Sequence, residues 1–241
     1  MTFESNRSCS ILLSFGVFVL NGSVLYILMA SVELLECMGN DLMVVNAARV
    51  SFAKESHDFT EQDGKLISYL ARHNHNSPFF HPQIQFRIKM PIFVAREWYR
   101  HTIGFSRNEV SRRYVSDVPE CWVPDVTHFR ERDPKAKQGS RENEVECASD
   151  ARMVFDDTVR QAMKAYDTLL KMNVAPEIAR CVLPQSMYTE FIETASLAAY
   201  ARLYKLRTSP DAQREIQWYA NEIGKELADK FPVSWRALTS S

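Results

Sequence analysis

The chain has 241 residues, of which 46% are hydrophobic and 24% charged, as expected of a globular protein with a sizeable core. Its formal net charge of −1 excludes a global positive field that attracts nucleic acid, so any anion site must be local. Glycine is scarce, and the absence of G-x-G-x-x-G and Walker-type loops argues against a Rossmann or P-loop nucleotide site. The cysteines are odd in number and form no C-x-x-C pair, so we expect free thiols in the reducing cytoplasm.

The N-terminal segment is the least typical part of the chain. Residues 11–30 are nearly all apolar and, as a helix, are long enough to span the roughly 30 Å core of a bilayer. Arg7 precedes the run, as in a signal peptide, but the sequence Asn-Gly-Ser at 21–23 places a turn signal in its middle. Three interpretations stay open: a buried β-hairpin, an upstream extension from a mis-assigned start, and a membrane anchor or signal. In the second interpretation, Met29 or Met38 starts a shorter chain. Among the three, we do not favour membrane association.

From residue 31 the hydrophobic pattern predicts strands and helices with recognisable boundary residues. In chain order they are a strand over 31–37, a helix from the Asn40 and Asp41 cap to about Val50, a helix from a Thr60 and Asp63 capping box to His73, a turn over 74–78 and a half-buried strand over 83–90. Pro91 then fits the first position of a helix that ends near Arg100.

The second half of the chain is predicted to be mainly helical, after a charged surface loop over 125–139. A long helix over 142–173 follows, and its core-facing residues are expected to be Val145, Met153, Val154, Val159, Met163, Ala165, Tyr166, Leu169 and Leu170. The remaining elements are a short helix from Pro176 to Arg180, a strand over 186–194, a helix over 196–206 and a last helix capped by Ser209, with Pro210 first and Phe231-Pro232 at its end. Helices outnumber strands, so the predicted fold class is α+β (mixed α/β).

The polar stretch over 100–114 is the most informative segment. It contains arginines at 100, 107, 112 and 113, together with a histidine, two serines, an asparagine and one carboxylate. Guanidinium groups offer paired N–H donors that match phosphate and carboxylate oxygens, so the stretch predicts a surface that holds an anion. A solvated charged loop is the alternative. Arg180 and Arg207 end predicted helices and extend the set, although such arginines are often simple caps of the last carbonyls.

The sequence gives weaker support for two other kinds of site. His73, His75 and His81 are close in sequence and suggest a metal site, but no second ligand pair follows at a familiar spacing, so we expect no metal. A Ser/His/Asp hydrolase built on Ser111 and His101 is disfavoured because the nucleophile-elbow glycine pattern is missing.

The stretch resembles the signature of the flavin-dependent thymidylate synthases, R-H-R-x-x-S-x-N-x-x-S-x-R. Here it reads Arg100-His101, then Ser106, Asn108, Ser111 and Arg113. Further segments that resemble the family occur in the family's order at 38–42, 47–52, 73–81, 91–96, 180–184, 187–191, 206–207 and 215–217. The similarity covers about residues 31–235, and several separate motifs in the right order make it specific.

Several positions depart from the family pattern. Thr102 replaces the usual second arginine, and one extra residue lies between His101 and Ser106. Glu97 stands where glutamine is common, and Phe80 where an acidic residue often helps to hold flavin. An Asn-rich set that contacts flavin is replaced at Ser196, Ala198 and Arg202. The dUMP half of the pattern is therefore better preserved than the flavin half.

The resemblance implies reductive methylation of dUMP to dTMP, with methylenetetrahydrofolate as carbon donor and FAD, reduced by NADPH, as hydride carrier. It implies a homotetramer with active sites at subunit interfaces and a small, mostly antiparallel sheet flanked by long helices. In this interpretation residues 1–30 are an apolar extension of doubtful role, residues 31–235 the catalytic domain, and residues 236–241 a C-terminal tail.

The resemblance also assigns roles to individual residues. Arg207 would act in catalysis by facing the uracil, where a cation stabilises the ring as its N3 proton is lost or shared. The residues expected to bind dUMP are Glu97, Arg100, Glu109, Val110, Ser111, Arg112, Arg113, Arg180 and Arg207. The residues expected to contact FAD are Ser51, His75, Ser77, Arg100, His101, Thr102, Ile103, Asn108, Glu109, Ser196 and Arg202, with Ser196 offering N–H donors to a phosphate at a helix start.

Alternatives remain at this point. Ser111 is more suited to hydrogen bonding than to covalent attack, because no base is adjacent to activate it. The basic stretch also suits a nucleic-acid-binding module, although neutral overall charge and the lack of interleaved aromatic residues count against one. A degenerate family member that binds nucleotide without flavin is the third possibility, based on Phe80, Thr102 and the changes over 196–202.

Overall fold

The structure, a computed structural model, describes residues 19–20, 23–24, 30–115, 118–135 and 139–240. Its strands are β1 (Val19–Leu20), β2 (Ser23–Val24), β3 (Ser31–Met38), β4 (Gln83–Pro91), β5 (Phe105–Glu109), β6 (Arg130–Arg132), β7 (Ser140–Glu144) and β8 (Tyr188–Ser196). Its α-helices are α1 (Asp41–Arg49), α2 (Glu61–Arg72), α3 (Ile92–Trp98), α4 (Ala148–Lys171), α5 (Pro176–Ala179), α6 (Leu197–Arg207), α7 (Arg214–Lys230) and α8 (Pro232–Thr239). Short 3-10 helices cover Val50–Phe52, Ser77–Phe80, Val126–His128 and Arg180–Val182. The predicted α+β class is confirmed.

The main sheet has the strand order β3-β4-β8-β5, and all neighbouring strands are antiparallel. β4 lies inside this sheet and alternates as predicted, with Ile84, Phe86, Ile88 and Met90 fully buried. Because successive side chains of a strand point to opposite faces, these four residues form one apolar face.

One apolar core joins this face to helices from both halves of the chain. Its largest fully buried side chains outside β4 are Trp98, Tyr200, Phe79, Phe191, Phe231, Ile67, Leu197 and Leu203. Helix α6 follows β8 directly, is buried along most of its first half, and packs on α7 and α8. The last residue of α6, Arg207, is therefore held in a fixed position relative to the sheet.

The predicted helix caps in the first half of the domain are confirmed. The Asn40 side chain caps α1, and Thr60 and Asp63 form the expected capping box at the start of α2. The buried Asp41 carboxylate caps a different helix: it accepts hydrogen bonds of 2.9 and 2.8 Å from backbone N–H groups in the first turn of α8. The two ends of the domain are thus linked.

Three segments differ from their predicted secondary structure. The polar stretch after His101 contains strand β5, because β8 offers it a hydrogen-bonding partner along its length. The surface loop predicted over 125–139 contains a short helix and β6, which pairs with β7. Residues 140–144 are therefore strand, and the long helix begins at Ala148 instead of 142.

The core-facing stripe predicted for the long helix is only partly confirmed. Val159 and Tyr166 are buried, but Met153 and Val154 are 65% and 67% exposed. Within the described residues α4 packs mainly on short elements, namely α5 and the helical turns Val126–His128 and Arg180–Val182. These elements cover a narrower stripe than the pattern predicts, so part of the apolar face stays uncovered.

Several boundaries in the sequence prediction were wrong. Pro91 is the last residue of β4 and the N-cap of α3, so it precedes the first helical position. The N-cap residue of α7 is Gln213 and not Ser209. Ser209 lies in a separate turn, where its carbonyl oxygen accepts a hydrogen bond from the Ala212 N–H. Phe231 ends α7 as predicted, but α8 begins at the next residue and includes residues 236–239, which we expected in a tail.

The N-terminal segment is described only at β1 and β2, which pair antiparallel, with Val19 opposite Val24. The rest of residues 1–29, and with it the choice among its three interpretations, lies outside the described residues. In the part of the chain that the structure covers, helices long and apolar enough to cross a bilayer do not occur. Cys37, Cys121, Cys147 and Cys181 are free thiols, as expected.

Candidate functional site

The centre of the candidate site is a cluster of Arg207, Glu97 and His101. Arg207 Nε donates to His101 Nε2 at 2.9 Å. Its Nη1 contacts Glu97 Oε2 at 3.2 Å, and its Nη2 donates to the Glu97 carbonyl oxygen at 3.1 Å. Arg207 therefore joins the end of α6 to the end of α3 and is more than a cap of its own helix.

His101 is held in its neutral form by this environment. Burial, together with the positive charges of Arg207, Arg107, Arg202 and Arg100, lowers the pKa of His101 to about 4. A neutral imidazole keeps one nitrogen free to accept a hydrogen bond, in agreement with the bond from Arg207 Nε to His101 Nε2.

A buried ion pair lies directly behind this cluster. Arg107 on β5 pairs with Glu193 on β8, and Arg107 Nη1 donates to the His101 carbonyl oxygen at 2.6 Å. The Glu193 side chain is 0% exposed and also accepts from Trp98 Nε1 at 3.2 Å. Burial raises the pKa of Glu193, whereas Arg107 and the Trp98 indole oppose that shift.

Glu109 is fixed at the opposite end of β5. Thr189 Oγ1 donates to Glu109 Oε1 at 2.5 Å, and the hydroxyl of Tyr99 lies close to the same carboxylate. Burial, followed by the negative charge of Glu109, raises the pKa of Tyr99 well above its usual range. The next residue, Val110, continues the strand pairing by donating its N–H to the Glu190 carbonyl at 2.9 Å.

The predicted phosphate-binding residues lie in a more open region. Arg113 contacts Glu177 of α5 at 3.6 Å, with both side chains more than half exposed. Arg180 is exposed one helical turn beyond Glu177. Ser111 Oγ accepts from the Arg113 N–H at 3.3 Å, whereas Arg112 is half-buried. An anion between Arg113 and Arg180 would meet two guanidinium groups.

The one-residue insertion of the signature forms a tight turn against α6. Gly104 has φ +82°, a region that favours glycine, and a Cβ there would lie 3.1 Å from the Ala199 Cβ. Arg202 Nη2 donates to the Ile103 carbonyl at 2.7 Å and fixes the turn. Thr102 and Ile103 remain exposed.

Most of the residues predicted to contact flavin are exposed, whereas His101 is half-buried and Ser196 is buried. Ser51, His75, Ser77, Arg100 and Asn108 are exposed. Phe52 and Ile103 are exposed apolar side chains at 76% and 71%. Exposed donors next to exposed apolar side chains suit a cofactor with a flat ring and a diphosphate, so this donor set fits a flavin.

Ser196 does not fit its predicted role as well. It is only 2% exposed, and its Oγ accepts from the Ala199 N–H at 3.2 Å, which caps α6. In this conformation it offers a flavin phosphate no exposed donor, and its assignment to FAD remains a prediction.

Sequence reasoning missed the buried polar residues behind the site, namely Arg107, Glu193, Trp98, Tyr99 and Thr189. A signal for Glu193 was present: in β8 it alternates with the buried Phe191 and Ala195, and a carboxylate on an inward face requires a partner. The partner, Arg107, had been counted in the anion-binding stretch. Its burial also divides that stretch, so it does not form the continuous basic surface that a nucleic-acid-binding module needs.

Comparisons with known proteins point to one family. The family described as "Thymidylate synthase complementing protein" matches residues 33–233. The chain is 39% identical over 207 residues to a flavin-dependent thymidylate synthase of Thermosipho africanus, covering 86% of this chain and 89% of that protein. A relative of the same description from Thermus thermophilus is also 39% identical, with 86% of this chain and 74% of the relative covered.

A solved structure is similar over most of its length. The UMP/dUMP methylase PolB from Streptomyces cacaoi, bound with 5-Br dUMP, superposes with a TM-score of 0.79 at 33% identity. The match covers 88% of this chain and 95% of that one.

Proposed function

The chain belongs to the thymidylate synthase complementing protein family, and from this premise we propose that it is a flavin-dependent thymidylate synthase that methylates dUMP to dTMP. The observation that carries the proposal is the Arg207, Glu97 and His101 cluster, which fixes a guanidinium beside the matched signature. A fixed cation of this kind is what activation of a pyrimidine ring requires.

Arg207 has donors left for a substrate. A guanidinium carries five N–H groups, and the bonds to His101 and Glu97 use one on each nitrogen. We propose that the remaining N–H groups on Nη1 and Nη2 face a uracil carbonyl. There they would stabilise negative charge as the N3 proton is lost or shared, which makes C5 more nucleophilic.

Arg113 and Arg180 are proposed to hold the dUMP phosphate. The contact of Arg113 with Glu177 is long and exposed, so a phosphate can replace it at little cost. Ser111 and the N–H groups that follow it would add neutral donors. Glu109, already held by Thr189, would accept a hydrogen bond from the ribose.

FAD is the expected cofactor, and when bound it supplies hydride transfer. Ser51, His75, Ser77 and Arg100 are proposed to hold it through their exposed donors, with Ile103 against the ring. NADPH and methylenetetrahydrofolate are the proposed co-substrates. We further propose a cytoplasmic homotetramer in which the segments after Arg100 meet at subunit interfaces.

The spectrum of the purified protein tests this proposal. We expect flavin absorbance that NADPH bleaches, and dTMP formation when dUMP and methylenetetrahydrofolate are added. UMP is the matched comparison, because the structural neighbour is described as a UMP/dUMP methylase. Colourless protein that binds no added FAD, with no dTMP formed, would contradict the proposal.

A further inference from the structure

The buried pair of Arg107 and Glu193 is the feature of this site that substrate contacts leave unexplained. Glu193 is 0% exposed and Arg107 14% exposed, so neither side chain lies in the open part of the site. The rings of Phe105 and Tyr99 flank the guanidinium, with centroids 4.7 and 5.5 Å from its central carbon. These contacts remove the pair from solvent and fix its orientation.

Arg107 acts on the main chain of His101. The N–H of His101 donates to the Trp98 carbonyl at 3.1 Å, and its carbonyl oxygen accepts from Arg107 Nη1 at 2.6 Å. Both polar backbone groups of His101 are therefore engaged. The position of its ring, which accepts from Arg207, depends on these two bonds.

Glu193 lies close to residues of both α3 and α6, the helices that carry Glu97 and Arg207. Its carboxylate accepts from the indole of Trp98, the neighbour of Glu97 on α3. The hydroxyl of Tyr200 lies close enough for the two groups to shift each other's pKa, although it makes no hydrogen bond of ordinary geometry. Tyr200 and Arg207 are about two turns apart on α6, so they lie on similar sides of that helix.

We propose that the Arg107–Glu193 pair is a positioning unit that holds His101, and through His101 orients Arg207 toward the pyrimidine. This inference rests on the proposed function, in which Arg207 faces the uracil. Stability alone does not explain the pair, because apolar residues of similar volume often replace a buried ion pair without loss. A guanidinium, in contrast, bonds a carboxylate and a carbonyl at once with fixed geometry, which methionine or lysine cannot reproduce.

The double variant Arg107→Met/Glu193→Met separates positioning from stability, because it removes both charges and leaves neither uncompensated. We expect the variant to fold, with a thermal midpoint lowered somewhat because the Trp98 N–H and the His101 carbonyl oxygen lose their partners. We also expect kcat to fall about 10–100-fold, the scale of a displaced catalytic group, with dUMP affinity changed less than about threefold. The matched control is Arg87→Met/Glu190→Met, which removes a half-exposed pair of the same sheet and should leave kcat unchanged.

A second readout does not need turnover. The ¹⁵N chemical shift of His101 Nε2 reports whether that nitrogen accepts a hydrogen bond, and we expect it to change in the double variant and not in the control. If the parent forms no dTMP, the proposed function fails, and this shift still decides whether the pair positions His101. If the double variant does not fold, Arg107→Lys keeps the charge and is measured in the same way.

The outcomes are distinct. A folded variant with lower kcat and an altered Nε2 shift supports the positioning role. Parent-like kcat overturns it whatever the shift, and an unchanged Nε2 shift overturns it whatever the rate.

Discussion

The two sides of the candidate site are held in different ways. On the proposed base side, Arg207 makes three hydrogen bonds within the chain and is 19% exposed. On the proposed phosphate side, Arg113 is 53% exposed, and its ion pair with Glu177 is 3.6 Å long. With the proposed roles, this difference predicts that the base side is organised before substrate arrives, whereas the phosphate side is ordered by the substrate. Preorganised groups favour the reaction step, and groups ordered by the ligand contribute mainly to affinity.

The secondary-structure elements that carry the two sides explain why one is fixed and the other is open. Arg207, Glu97 and His101 lie at the ends of α6 and α3, which are anchored in the core through Trp98 and Tyr200. The phosphate side is built from the segment after β5 and from the short helix α5, both largely exposed. Removing residues from each side tests the contrast, because each removal should affect a different kinetic constant.

Arg207→Ala should have the largest effect. We expect kcat to fall about 100–1,000-fold, as when one preorganised donor to developing charge is lost. The dUMP dissociation constant should change much less. Steady-state kinetics measures both, with Lys205→Ala, an exposed residue on the same helix, as control. Parent-like kcat in Arg207→Ala would remove its catalytic role.

Arg113→Ala should weaken dUMP binding instead. Loss of a charge-assisted hydrogen bond, about 1.5–3 kcal/mol, corresponds to about 10–100-fold in affinity. Titration calorimetry measures it, and Arg141→Ala, which removes an arginine of an exposed ion pair, is the control. Unchanged dUMP affinity would show that the phosphate binds elsewhere.

Ser111→Ala should have a smaller effect. A neutral hydrogen bond contributes about 0.5–1.5 kcal/mol, so we expect dUMP affinity to fall about 2–10-fold with turnover retained. Product formation after prolonged incubation measures the residual activity. Complete loss of turnover with intact folding would restore the idea that Ser111 is a nucleophile.

A separate effect, on stability instead of on a kinetic constant, should be a pH dependence that comes from His101. Its pKa is about 4 in the folded chain and 6.5 as the ordinary value, so the unfolded chain takes up a proton first as pH falls. The contribution to stability is therefore complete above pH 6.5 and is lost as pH falls toward about 4. Thermal midpoints across this range should fall more steeply for the parent than for His101→Gln. Parallel curves would contradict the lowered pKa.

The sequence predicted those features that local patterns determine. The alternation of β4 and the caps at Asn40 and Thr60 follow from period and side-chain chemistry within a few residues. Strand β5 could not be predicted in this way, because its polar residues form no apolar face and its pairing depends on β8, more than 80 residues away. Burial of Arg107 likewise requires Glu193, and neither residue specifies that contact alone.

Within the site, the sequence predicted which residues take part, but not which of them are buried or which partners they contact. Arg207, Arg113 and Arg180 were assigned from the resemblance, and the structure brings Arg207 to His101 and Glu97. The sequence placed Ser196 at a helix start but did not indicate that it is buried there, because burial at the start of α6 depends on packing by distant segments.

The most direct test of whether the two sides have different kinetic roles is the rate of dTMP formation at saturating dUMP. The rate is compared between Arg113→Ala and Arg207→Ala. If the phosphate side contributes affinity and the base side the reaction step, excess dUMP restores nearly parental turnover to Arg113→Ala and leaves Arg207→Ala at least about 100-fold slower. Restoration of Arg207→Ala by excess dUMP, or failure to restore Arg113→Ala, would contradict that division.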